Sequence, residues 1–190
     1  MNPIRFRQIK QRDYRDPSDF LRGLREVEGQ LAEIDDPLVP RLRSRELREW
    51  REARVAALFC HGYGERTGQK IYFSKGEFED ADCVAHWFTD EESHFAPIQI
   101  KEVAPNDLNG EATLQEVLNS LSKYSGTKDL TVLIHLNRQV RFKPSELVVP
   151  PNARIAALWV LACLSPDQTR WALWGNYLAQ PERSEFTYPT

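Results

Sequence analysis

The residues best suited to chemistry lie in two short stretches, Phe78-Glu79-Asp80-Ala81-Asp82-Cys83-Val84-Ala85-His86-Trp87 and Ile98-Gln99-Ile100-Lys101-Glu102. Side chains alternate along a strand, so Gln99 and Lys101 share one face while Ile98 and Ile100 take the other. With a turn centred between Glu91 and Glu92, antiparallel partners add to 183, which sets Asp82 opposite Lys101. A carboxylate, an amide oxygen and an ammonium brought together are the parts that phosphodiester hydrolysis uses. They supply oxygen ligands for a divalent cation, a polarised water, and positive charge where the phosphate gains electron density. Asp82 is the expected principal ligand of Mg2+ or Mn2+, with the Gln99 side-chain oxygen and the Ile100 carbonyl beside it. Lys101 is expected to orient water or to stabilise the developing charge. A solvated Asp–Lys cross-strand pair has the same spacing and little energetic weight.

These groups need elements to hold them. Asp16-Pro17-Ser18 offers a helix cap, and Phe20, Leu24, Val27, Leu31 and Ile34 recur at helical spacing over residues 16–35. A second helix is expected from Ser44, with Leu47, Trp50, Ala53 and Ala57 as its apolar stripe, until His61-Gly62-Tyr63-Gly64 breaks it. On that wheel Glu46 falls within the stripe, Glu49 at its border, and Glu52 points away. A buried Glu46 needs a partner, either Arg54 or a metal site on an adjoining sheet. Strands follow at Lys70–Ser74, Ala81–Phe88 and Phe95–Val103, then a helix over 112–123 and an apolar, β-branched strand at Leu130–Leu136. Ile155–Leu164 and Thr169–Leu178 read as a hairpin carrying Trp159, Trp171 and Trp174, and the tail from Gln180 reads as loose.

Helix, three-stranded meander, helix, strand, with an aspartate on the second strand and a Gln-x-Lys pair on the third, resembles the core of the PD-(D/E)XK nuclease-like superfamily over residues 44–137. The resemblance implies an α/β (α+β mixed) fold: a restriction-endonuclease-like core with a central mixed sheet flanked by helices, here followed by the C-terminal hairpin at 152–179. It implies a metal-dependent nuclease acting on DNA, or a nuclease-fold module that has lost catalysis and binds nucleic acid or protein. Asp82 matches the metal-binding aspartate, Gln99 takes the position usually held by Glu or Asp, and Lys101 matches the lysine. Glu46 or Glu49 matches the acid supplied by the first core helix. Ala81 replaces the proline before the aspartate, and the Gln-x-Lys variant is the one seen in Mrr-like restriction nucleases.

Composition sets the surroundings. A chain of 190 residues, 41% hydrophobic, suits one domain over 1–190. No run approaches the roughly 18 to 20 apolar residues of a membrane span, and the charged start is unlike a signal peptide. Cys60, Cys83 and Cys163, an odd number in dissimilar contexts, suit reduced thiols and a cytoplasmic setting. Cys83 and His86 fall on opposite faces of a strand, so no zinc site is expected. The net charge of -3 hides segregation. Basic residues gather at Arg5, Arg7, Lys10, Arg12 and Arg15 and at Lys123, Lys128, Arg138, Arg141 and Lys143, while Glu77–Glu92 is acidic. The two basic flanks suggest attraction for DNA phosphate, and the tryptophan-rich hairpin suggests a homodimer contact.

Overall fold

A computed structural model describes residues 3–36, 38–39, 41–126 and 128–190. It is α/β, with five helices and seven strands among the described residues and both antiparallel and parallel strand pairs. The chain divides into two compact units, one within residues 1–97 and 189–190, the other 98–188. No helix of the described residues is long and apolar enough to cross a membrane.

The first unit begins with α1 (Pro3–Lys10), a helix where only basic charge was legible, anchored by Ile9 against Phe78 and Val84. In α2 (Pro17–Leu31) the Asp16 carboxylate accepts from the N–H groups of Ser18 and Asp19, and Pro17 pre-sets the first turn. Its buried face is Leu21 and Leu24; Val27 and Ile34 of the expected stripe are exposed, and the helix stops before Asp35. After a 3-10 turn at Arg45–Leu47, α3 (Arg48–Thr67) runs through the glycines expected to break it. Gly62 is buried there, and a Cβ on Gly64 would lie 2.9 Å from the Gln69 carbonyl, so close return of the chain requires glycine at that point. The helix ends at Gly68, which takes the left-handed conformation at φ 68°.

Strands β1 (Ile71–Phe78) and β2 (Ala81–Thr89) pair antiparallel, Phe73 with Ala85 and Lys75 with Cys83, with an irregularity between Lys75 and Phe78. A two-residue turn, Asp90-Glu91, leads into β3 (Glu92–Val103), with both turn residues at positive φ, 48° and 67°. Such a turn matches the twist of its strands, although neither residue is the usual Asn or Gly. Trp87 stacks on His94 and His86 on Phe95, so partners at this tip add to 181. The register of 183 is therefore corrected by two.

The second unit contains the end of β3, a short helix α4 (Asn106–Asn109), α5 (Leu114–Asn119) continued by a 3-10 turn at Ser120–Lys123, and four more strands. Thr113 and Glu116 cap α5 reciprocally. β4 (Thr131–Leu136) is buried at all six positions and lies parallel to both β3 and β5 (Ala157–Cys163), as a fully covered β-branched run should. β6 (Arg170–Gly175) and β7 (Glu182–Thr187) complete it antiparallel. β7 corrects the loose tail: only Phe186 is buried, paired with Trp171, so its apolar signal was too thin to read. Trp159 and Trp171 are buried, and Trp174 is half-buried beside Phe142 and Arg183, so the hairpin does not present its tryptophans outward.

Candidate functional site

In the second unit Gln99 and Lys101 do share a face, because both address Tyr124 at the end of the turn after α5. The Tyr124 hydroxyl donates to Gln99 Oε1 at 3.1 Å, and Gln99 Nε2 donates to the Ile100 carbonyl at 3.3 Å. Lys101 Nζ stands 5.6 Å from the tyrosine ring centre and Lys123 Nζ 5.0 Å, so two ammonium groups converge on one ring. Neither lysine has a carboxylate partner among the described residues. The opposite face of β3 carries Glu102. Its Oε1 accepts from Asn137 Nδ2 at 2.8 Å and lies 3.9 Å from Nδ1 of the buried His135 on β4.

In the first unit Asp82 is a buried acid, 9% exposed, within β2. Val84 and His86 of the same strand meet α1 and Tyr14, and the Asp82 charge acts on Arg48 at the start of α3. Helix α3 packs against β1, where Lys75 Nζ meets Glu49 Oε1 at 3.1 Å and lies over Trp50. Glu49 is exposed and Glu46, on the 3-10 turn, is exposed too, so Glu46 is not the buried glutamate of the helical wheel. The turn rotates the wheel: counted from the buried Ala56 and Cys60, it is Glu52 that continues the covered row. Glu52 is 20% exposed and bonded to Arg48 at 2.7 Å. Arg54, the alternative partner for Glu46, pairs with Glu28 of α2 at 3.0 Å.

No protein family, curated protein or solved structure matches the chain.

The donor set can be tested against a divalent cation on its own geometry. Gln99 Oε1 already accepts the tyrosine hydroxyl, the Ile100 carbonyl accepts the Gln99 amide, and Glu49 is tied to Lys75. Among the described residues no group of three His, Cys, Asp or Glu could hold a metal. Within the second unit, then, the Gln99 side-chain oxygen and the Ile100 carbonyl are both engaged in hydrogen bonds. Sequence reading missed Tyr124, whose signal was its place directly after Lys123 at the end of a helix.

The remaining reactive side chains are quiet. Burial pushes the Cys60 thiol up, and burial with the neighbouring Cys60 and Asp82 pushes Cys83 up further, so neither is a ready thiolate. An open groove of about 480 Å3 in the first unit is lined by Ser18, His61, Glu65 and Lys70, with Ser18 Oγ 3.1 Å from His61 Nδ1. Asp16 already occupies the Ser18 and Asp19 N–H groups beside it, which removes them as an anion seat.

Proposed function

We propose that the chain binds the phosphodiester backbone of DNA as a nuclease-fold module, with Lys101 and Lys123 seating phosphate beside Tyr124. The observation that carries this reading is the pair of unneutralised ammonium groups around one ring. They are at most about 11 Å apart, comparable with the Debye length of about 10 Å at 0.1 M salt, so they repel unless an anion lies between or beside them. The restriction-endonuclease-like core is supported by the element order α3, β1, β2, β3, α5, β4 and by the parallel pairing of β3 with β4. Fluorescence anisotropy on duplex and single-stranded DNA, and on RNA, across a salt series tests it. Lys101→Ala and Lys123→Ala should each flatten the log K against log salt slope by about 0.9 on duplex DNA. Unchanged slopes, or no binding at low salt, would defeat the reading.

A second reading, metal-dependent hydrolysis of DNA, is favoured by Asp82, a carboxylate only 9% exposed within β2 at the position where the resemblance puts the metal-binding aspartate. It requires the Tyr124 hydroxyl to leave Gln99 Oε1. Under this reading cleavage with Mg2+ or Mn2+ disappears in Asp82→Ala and in Lys101→Ala, and Tyr124→Phe takes up Mn2+ more readily than the parent chain. DNA binding with no cleavage and no Mn2+ uptake decides for the binding module.

A further inference from the structure

The first unit carries an exposed aromatic surface that the reading above does not use. Phe6 on α1 meets Phe95 edge-on at 5.7 Å, Phe95 stacks on His86 at 4.5 Å, and His86 meets Phe88 at 4.6 Å. This is a continuous row whose outer members stay in solvent: Phe88 is 54% exposed and Phe6 40%. Large apolar side chains clustered in this way mark an interaction surface more often than chance exposure does.

The charges around the row say what covers it. Arg7 and Lys10 of α1 are exposed, and so are Asp90, Glu91 and Glu92 at the β2–β3 turn. None of the five has an ion-pair partner among the described residues, whereas the neighbouring Arg5 is held by Glu79 at 2.8 Å. The two sets lie at opposite ends. Ile9, next to Lys10, packs on Val84, and Asp90 lies six residues further along the chain, on the order of 20 Å in strand geometry. A polyanion would be repelled by the acidic end, and a partner of uniform charge would satisfy only one end. A second copy turned by a two-fold axis satisfies both, because its basic helix meets the acidic turn and its acidic turn meets the basic helix.

We propose that this surface is an isologous homodimer contact, with Phe6 and Phe88 at its centre and the Arg7/Lys10 and Asp90/Glu91/Glu92 groups paired across the two-fold. The contact is independent of phosphate binding at Lys101. Sedimentation equilibrium on the full chain should show a monomer–dimer equilibrium that weakens as salt rises. Phe88→Asp should weaken it at least about 30-fold, as loss of a central aromatic anchor does, with the circular dichroism spectrum unchanged. Charge reversal provides the second test. Arg7→Glu with Lys10→Glu, and separately Asp90→Lys with Glu91→Lys, should each weaken self-association, and mixing the two variants should restore a heterodimer. A chain that stays monomeric up to about 1 mM overturns the proposal. So does a dimer indifferent to Phe88→Asp and to both reversals, or a mixture that fails to form the heterodimer.

Discussion

Replacing Arg12 should unfasten the first unit without touching phosphate recognition. Its guanidinium donates from Nε to Ser74 Oγ at 2.7 Å, from Nη2 to the carbonyls of Lys75 and Gly76 at 2.8 and 2.6 Å, and from Nη1 to the Glu77 carbonyl at 3.3 Å. It also lies 5.7 Å from the Phe78 ring. These acceptors belong to the irregular stretch of β1, where Gly76 at φ 90° takes the carbonyls out of the ladder. Each charge-assisted bond is worth about 1.5 to 3 kcal/mol, they share one donor group, and Ser74, only 1% exposed, loses its guanidinium partner and keeps only the Tyr14 hydroxyl beside it. Arg12→Ala should therefore cost about 3 kcal/mol. Arg12→Lys keeps the charge but not the planar fork, and should recover only about a third of that loss. Urea unfolding gives the magnitude, and amide hydrogen exchange should show protection lost first over Ser74–Phe78. A loss below about 0.5 kcal/mol, or one that Lys repairs fully, would refute the reasoning, because an ordinary surface substitution does no more. The DNA salt slope of Arg12→Ala should match that of the parent chain.

Two further outcomes test the second unit. A Cβ on Gly175 would lie 2.4 Å from Trp159 Cε3, inside any real contact, so Gly175→Ala should destabilise by about 3 kcal/mol and shift the tryptophan emission maximum; a thermal midpoint within error of the parent chain would contradict the packing. Tyr177 has a buried hydroxyl with no partner among the described residues, and burial raises its pKa from 10.0 to about 12. Below pH 10 both folded and unfolded chains keep that proton. Between pH 10 and 12 the unfolded chain loses it first, so stability falls as pH rises through this window. Tyr177→Phe should be at least as stable as the parent at pH 8 and should lose less stability at pH 11, measured by urea midpoints.

Periodicity made most of the elements legible and left their edges uncertain. β1 to β6 and the helices α2, α3 and α5 stand where alternation or helical spacing put them. The misses have more than one cause, and a local signal overridden by contacts distant in sequence is the clearest. Gly62 and Gly64 read as a break, but packing around Gly62 and the chain's return past Gly64 hold the helix to Gly68. The polar run after β2 marks a turn without fixing its centre, which is Asp90-Glu91, so the register was misplaced by two. A 3-10 turn before α3 rotated the wheel and moved the covered glutamate from 46 to 52. For the candidate site, the shared face of Gln99 and Lys101 followed from the two-residue period. The hydroxyl that takes the Gln99 oxygen comes from Tyr124, 25 residues away, and no spacing rule reaches it.

The same distinction limits what the basic flanks can do. Of the five basic residues in the first flank, Arg5, Arg12 and Arg15 are tied to Glu79, to β1 carbonyls and Ser74, and to Asp13, which leaves Arg7 and Lys10. In the second flank Lys143 pairs with Glu146, and Arg138 clamps Asn106 and the carbonyls of Asn109 and Gly110. Lys123, Lys128 and Arg141 remain there to meet phosphate, with Lys101 from β3. Four phosphate contacts in the second unit cap its salt slope near about 3.6, and Lys101 with Lys123 alone give about 1.8. A measured slope near the lower figure that collapses in the Lys101→Ala, Lys123→Ala double variant assigns the binding to the Tyr124 site. A slope well above the upper figure would move most of the contacts out of the second unit and remove the reason for placing the nucleic acid on this face of β3.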